Sequence, residues 1–408
     1  MSLAIVTNGY MPVPATRGGA VESLVDNFIE ENERKKELNI TVFSAYDKKA
    51  VELSKTYKYT SVIFFRPNII IKLLDRTIYF IAKNILRKER TQSYRYIIQR
   101  LDFLRKVSKN LKKNNYSKVL IENHPTLFMC LKKYDNYKKY KGKYYYHIHN
   151  EIINDFGNRE LIKNSKNNIC VSNFVANQSQ DFLEIDSSNY TVLKNGIETD
   201  RFSKVLSDDQ KSRKRQNLGL GDDDIILLYT GRYTREKGII SLLRSFQKIN
   251  NPKVKLILAG GTFFNTKIKN NDAVEIENLI EKMSDKIVNL GFVDYKEIET
   301  LYQISDISVQ PSICNDSAPL TIIESLVSGL PIITTYSGGI PEYVDDTCAI
   351  ILEPDESLEN ELCKSIEYLA KDRKLRKRMS ENSRNKSKEL TVSNYYNNFI
   401  KILNDKEG

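Results

Sequence analysis

Asp316 and Glu324, eight positions apart, are the first side chains in this chain whose types and spacing suggest chemistry. Two carboxylates so placed are the pattern of a glycosidase acid and base. That chemistry is set aside, because Asp316 falls in a loop segment and nothing around either residue is apolar enough to raise one pKa. The stretch offers a second chemistry. Helical spacing begins at about Leu320, and a helix start exposes unpaired N–H groups at the positive end of its dipole, a seat for an anion such as pyrophosphate. Pro319 has no N–H, which leaves Leu320 and Thr321 as donors, while Glu324, one turn further in, suits a diol better than a phosphate. Arg232 and Lys237 bracket another helix start after an apolar strand, where two cations and free amides converge on one anion. Singly, the two carboxylates read better as a helix-capping Asp and a solvated Glu. As a unit they do not.

These residues need elements to hold them. Around Asp316 the pattern predicts a strand ending near Pro311, a helix from about Leu320 to Val327 stopped by Gly329, a strand over Pro331–Thr335 and a turn at Gly338-Gly339. The same grammar precedes it: strands over Ile225–Thr230, Val254–Leu258 (then Gly260-Gly261), Ile287–Leu290 (then Gly291-Phe292-Val293) and Asp306–Pro311. In the first half, Ala4–Thr7 is a strand, Gly18-Gly19 a turn, and Ala20 opens a helix with Leu24, Val25, Phe28 and Ile29 at helical spacing. Further strands are expected at Ile40–Ser44, Ser61–Phe65, Lys118–Ile121, Lys143–His149, Asn168–Ser172 and Tyr190–Leu193. Strand, glycine turn and helix in alternation give an α/β chain of doubly wound units. Alternation sets Tyr145, His147 and His149 on one face, with His149 at the carboxyl end of its strand, where such sheets bind ligands. His147 reads as a satisfied packing residue. His124, before Pro125, is the second candidate.

Asp316, seven residues and Glu324, followed by Ser328-Gly-Leu-Pro331 and Gly338-Gly-Ile-Pro-Glu342, resemble the E-x7-E signature of the retaining glycosyltransferases of family 4, which have the GT-B fold. The chain has Asp at the first acidic position, and Ala318-Pro319 where many members carry Phe-Gly. The resemblance implies two Rossmann-like domains facing each other across a cleft: residues 1–200 for the acceptor, 201–385 for the donor, and a C-terminal helix (386–408) packing back on the first. It implies that Arg232 and Lys237 hold the donor diphosphate, with Gly18 and Gly19 approaching the phosphates from the other side. By the same resemblance Val293 contacts the base, Glu324 the ribose, and Asp316 the sugar hydroxyls. His149 would stand beside the transferred sugar as a positioning residue, and His124 and Asn150 on the acceptor side. No metal or other cofactor is expected, since no Asp-x-Asp motif follows a strand of the first half. A nucleotide diphosphate sugar, with UDP as the nucleotide, would be the donor, and a lipid-linked or glycan acceptor of bacterial surface polysaccharide the partner. Two other readings are a GT-B nucleotide-sugar epimerase and a non-catalytic partner subunit; intact Arg232, Lys237 and Glu324 argue against the second.

At 408 residues, 40% hydrophobic and 28% charged, the chain suits two soluble domains. Its five scattered cysteines lack metal spacing and read as reduced cytosolic thiols. The four-residue apolar run Leu3–Val6 reads as a first strand and not a signal peptide. Between Arg66 and Lys113 there are 14 Lys or Arg against three acids, an excess of 11 that equals the net charge of the whole chain. No nucleic-acid motif accompanies this segment. It is expected to form one or two helices over 69–113, with Lys72, Arg76, Lys83 and Arg87 on one face and Ile70, Leu73, Leu74, Ile81, Ile85 and Leu86 filling the rest. Charges at 72, 75 and 76 exclude a membrane span, and an anionic membrane surface is the expected partner, which gives a cytoplasmic protein peripheral on the inner face of the cell membrane.

Overall fold

The computed structural model describes residues 1–86, 95–184, 189–261 and 271–405. It divides into two compact units, Met1–Lys194 with the chain from Tyr395 onward, and Asn195–Asn394.

In the first unit, β1 (Ser2–Val6), β2 (Asn39–Ala45), β3 (Thr60–Phe65), β4 (Lys118–Glu122), β5 (Tyr144–Ile148), β6 (Asn168–Cys170) and β7 (Tyr190–Val192) form one sheet in the order β3-β2-β1-β4-β5-β6-β7. All its pairings are parallel. Parallel strands are covered on both faces, which is why Leu3–Val6 and Val119–Ile121 are unbroken apolar runs, fully buried. The chain builds outward from β1 to one edge, then returns to add β4 on the other side. The crevice beyond the carboxyl ends of β1 and β4 is therefore the place where a ligand meets two diverging loops. The second unit repeats the plan with β8 (Ile225–Arg232), β9 (Val254–Gly261), β10 (Ile287–Gly291), β11 (Ile307–Gln310), β12 (Ile332–Thr335) and β13 (Ala349–Leu352), ordered β10-β9-β8-β11-β12-β13. Its corresponding point lies between β8 and β11.

Helix ends follow the residues that punctuate them. The first helix is Ala20–Lys35, and Gly329 ends the helix Leu320–Ser328 in a left-handed conformation at φ 71°. The C-terminal helix Val392–Asn404 buries Tyr395, Tyr396, Phe399 and Leu403 in the core of the first unit, with the Phe28 ring 4.9 Å from that of Tyr396. The units meet in sequence at Lys194/Asn195 and not at 200/201, because Ile197 pairs with Thr391 and Phe202 sits in the second core. The polar stretch after Phe202 is helical over Asp208–Gln216, closed by a Ser207–Gln210 capping box.

The basic segment is helical where it is described, as expected. It forms the helix Ile69–Phe80, a π-helical turn Ile81–Ile85 and the helix Ile97–Lys113; Arg87 lies outside the described residues. Most of the apolar side chains that fill the rest of its surface point outward: Ile69 is 75% exposed, Phe80 59% and Ile85 65%, with Ile70, Leu73, Leu74, Ile81 and Leu86 also exposed. Asp75 turns inward instead, because its carboxylate accepts from the amides of Ile98 (2.8 Å) and Gln99 (3.0 Å) and so caps the next helix. Lys72, Arg76 and Lys83 form a row along one flank of the apolar apex. Among the described residues no helix is long and apolar enough to cross a membrane.

Candidate active site

In the second unit the loops leaving β8 and β11 are stitched together before any side chain is considered. After Arg232 the chain makes a short 3-10 turn, Arg235–Lys237, and passes through Gly238 into the helix Ile239–Gln247. Gly238 has φ 70°, and a Cβ there would lie 1.7 Å from the Pro311 carbonyl oxygen, so only glycine lets the two loops touch. The Glu236 carbonyl accepts from the amides of Ile313 (3.0 Å) and Cys314 (3.3 Å). Tyr229 donates its hydroxyl to the Arg232 carbonyl at 2.8 Å, pinning the start of the turn. On the other side, Gly339 N–H donates to the Asp316 carbonyl at 2.8 Å, and the Ser337 hydroxyl donates to that of Cys314. Gly338, at φ 56°, has no room for a Cβ against the backbone of Asp316.

This scaffold brings the Lys237 ammonium and the Asp316 carboxylate into an ion pair at the crevice between β8 and β11. Just beyond stands the helix Leu320–Ser328, whose N-cap Pro319 gives no side-chain cap. The amides of Leu320 and Thr321 lie in its first turn, where no carbonyl four residues back is helical. Arg232 is exposed at the end of β8, and Val293 is half-buried after β10, packed on the core. Glu324 departs from expectation. It is 4% exposed and its carboxylate accepts from the Tyr302 hydroxyl at 2.6 Å, which itself lies 2.7 Å from Thr230 Oγ1. Burial raises its pKa, against the opposing hydrogen bonds of Tyr302 and Tyr295. The expectation that nothing nearby could raise a carboxyl pKa is corrected by this burial, which outweighs the two tyrosine hydrogen bonds, and a solvated Glu324 is excluded.

In the first unit, the residues after β1 and β4 face one another. Gly18 (φ 74°) has open space where a Cβ would stand, whereas at Gly19 (φ 109°) a Cβ would meet the Glu22 carboxylate at 2.2 Å. Glu22 is buried and accepts from the Asn8 amide; desolvation pushes its carboxyl up to about 7. Beyond β5, His149 Nε2 is 3.0 Å from Glu122 Oε2, and His147 Nδ1 is 3.1 Å from the same oxygen. The two ring nitrogens are 3.1 Å apart. Burial and the neighbouring His147 depress His149 to about 4, leaving it neutral. At Glu122 burial acts upward, but the two imidazoles prevail and hold it at about 2, ionised. His147 was expected to be a satisfied packing residue; its ring packs on Tyr395 and Phe399, but its Nε2 is buried without a hydrogen-bond partner. Among the described residues, Glu122, His147 and His149 are the set whose ligand atoms, within 4.8 Å of one another, could hold a metal ion.

His124 caps the short turn Pro125–Phe128, bonds Thr126, and has the Arg100 guanidinium 3.2 Å from Nε2. Burial and that cation push it down to about 4. Asn150 donates to Asn123 Oδ1 at 3.3 Å, the atom that also accepts from the His149 amide. Sequence reasoning missed Glu122, Tyr302, Tyr295, Glu22 and Arg100. Glu122 had a signal in being a charge at the end of an apolar strand, two positions before His124; the tyrosines had none.

Comparison with known proteins meets this geometry from another side. Residues 210–386 match the family model described as "Glycosyl transferases group 1". The chain is 24% identical over 361 residues to the spore coat protein SA of Bacillus subtilis, covering 85% of this chain and 84% of that one. It is 21% identical over 395 residues to the putative glycosyltransferase YtcC of the same organism, covering 94% and 87%. The crystal structure of Anabaena HepE in complex with UDP superposes at a TM-score of 0.74 and 17% identity, over 98% of this chain and 99% of that one. Residues 210–386 are a group 1 glycosyltransferase domain, the whole chain carries the GT-B fold, and the protein is a glycosyltransferase.

Proposed function

We propose that the protein transfers a hexose or N-acetylhexosamine from a UDP-sugar to a lipid-linked or glycan acceptor of bacterial surface polysaccharide, with retention of configuration and without a metal. The observation that carries this reading is the Lys237–Asp316 pair at the β8/β11 crevice, beside the uncapped start of the helix Leu320–Ser328. Departure of the nucleotide places negative charge on the leaving phosphate and positive charge on the anomeric carbon. Lys237, Arg232 and the amides of Leu320 and Thr321 stabilise the first; a directed contact of this kind is typically worth about 2–4 kcal/mol in the barrier. Asp316, already held by Lys237, orients sugar hydroxyls, Glu324 meets the ribose, and Val293 lies against the base. Gly18 and Gly19 lie against the donor phosphates. On the first unit, neutral His149 positions the sugar, with His124 and Asn150 toward the acceptor. The acceptor attacks from the side of the leaving phosphate, which takes its proton, so no protein base is required. UDP as the nucleotide is supported by the UDP complex of the HepE neighbour.

The reading also assigns the outer face of 69–86 to the anionic inner surface of the cell membrane. An exposed apolar apex flanked by Lys72, Arg76 and Lys83 has the form of an interfacial helix, which inserts its apolar side and lays its cations on headgroups.

The test is a thermal-shift screen of UDP-, GDP-, ADP- and dTDP-sugars, followed by a product assay with membrane lipid extracts. Melting raised by UDP-sugars and loss of that effect in Lys237→Ala agree with the reading. Conversion of the sugar with no acceptor present would replace it by an epimerase, and indifference to every nucleotide would end it.

A further inference from the structure

We propose that Arg100 is an anion-binding residue that holds a phosphate or carboxylate group of the acceptor substrate; this rests on the proposed function only in taking the first unit as the acceptor's. Arg215, which is buried, and Arg384, half-buried like Arg100, have partners that answer their charge. Arg215 bonds the Asp306 carboxylate and the carbonyls of Ile304, Asp222 and Asp224, and Arg384 donates to the Ser328 carbonyl at the end of a helix. Arg100 has no such answer among the described residues. Its Nη1 is 3.2 Å from His124 Nε2 and 3.4 Å from Thr126 Oγ1, both neutral groups, and its Nε is buried without a hydrogen bond. The Tyr10 ring lies 5.5 Å beneath the guanidinium, and Tyr96 stacks on Tyr10. Desolvating a guanidinium without an anion is expensive, and five fixed donors in a planar fork match a phosphate or carboxylate.

The position agrees with the chemistry. Gln99, the neighbour of Arg100, donates to the Gly9 carbonyl in the loop after β1, and His124 belongs to the loop after β4. Arg100 therefore stands at the crevice between these two strands, the ligand end of the first sheet. The amides of Ile98 and Gln99 are already taken by Asp75, so the guanidinium and not the helix end is the recognition element. Exposed Tyr10, Tyr96 and Phe156, the last 5.3 Å from the His124 ring, supply flat apolar surfaces on which a sugar can stack.

Inorganic phosphate stands for a phosphorylated lipid carrier and glucuronate for an acidic sugar. The full chain, isotope-labelled at histidine and saturated with UDP to occupy the second unit, is titrated with each, with chloride as the ionic-strength control. The chain has only three histidines, so the ring of His124 is readily resolved and reports on its Arg100 contact. A saturable shift of His124 with phosphate identifies the phosphate source, and one with glucuronate identifies the carboxylate. Either supports the proposal if Arg100→Gln abolishes the shift and Arg100→Lys weakens it while the UDP-induced rise in melting temperature persists in both. A His124 response no greater than that to chloride, or one that survives in Arg100→Gln, overturns it. If UDP fails to stabilise the wild type, the proposed function falls while the His124 result stands.

Discussion

Replacing Glu22 by Gln isolates the energetic consequence of a carboxyl group sealed beneath the Gly18-Gly19 turn. Burial raises this group from 4.5 to about 7 in the folded protein, with the charge of Glu122 adding to the effect. Folding thus takes up a proton between those pH values, and stability falls as pH rises through that window before levelling above about 7. A difference of that size corresponds to a deficit of about 3 kcal/mol in the ionised protein. Glutamine keeps an oxygen to accept from Asn8, fits the same space under Gly19 and cannot ionise. The variant should match the wild type near pH 4.5 and exceed it at pH 8. For a unit of this size the gain at pH 8 is roughly 6–12 °C in melting temperature. Thermal unfolding followed by circular dichroism at both pH values decides the matter: an equal shift at the two, or no gain at pH 8, refutes the reasoning.

Five further outcomes follow from the geometry. Lys237→Ala should lower kcat by roughly 10²–10³-fold, since a cation in its proposed place at the leaving phosphate acts chiefly in the transition state; turnover within a factor of two of wild type contradicts the proposed role. His149→Ala should likewise remove most transfer activity, and Glu122→Gln should lower kcat with little change in donor KM because it disturbs only how the ring is held; an unaltered kcat in either refutes the pairing. Gly238→Ala should destabilise the second unit, because its Cβ collides with the Pro311 carbonyl and its φ is positive; an unchanged melting temperature contradicts this. Phe80→Asp together with Leu73→Asp should abolish sedimentation with vesicles containing anionic lipid while sparing UDP binding; undiminished sedimentation removes the apolar face from the interaction.

Much of the frame was legible because parallel strands need long apolar runs and their turns need glycine. The start of the first helix at Ala20 and the stop at Gly329 follow from local chemistry. What escaped depends on contacts distant in sequence. Glu122 meets His147 and His149 only because β4 and β5 pair in register, Glu122 opposite His147. Glu324 appears half-polar along its own helix, yet Tyr302, 22 positions earlier, covers it. Which arc of 69–86 is covered was not legible, because a helix with apolar residues on most of its circumference does not declare it. Its one acidic residue, Asp75, settles the direction by turning inward to the amides of Ile98 and Gln99.

Asp75 ties together two helices that also pack against each other. One carboxylate, borrowed from the outer helix, terminates the amides immediately before Arg100, so the azimuth of the inner rod is set by the seating of the outer one. Two parallel hydrogen bonds to one carboxylate tie residues 69–80 to the backbone just before the guanidinium. The face turned to the surroundings and the cation beside the sheet thus share a single mechanical axle.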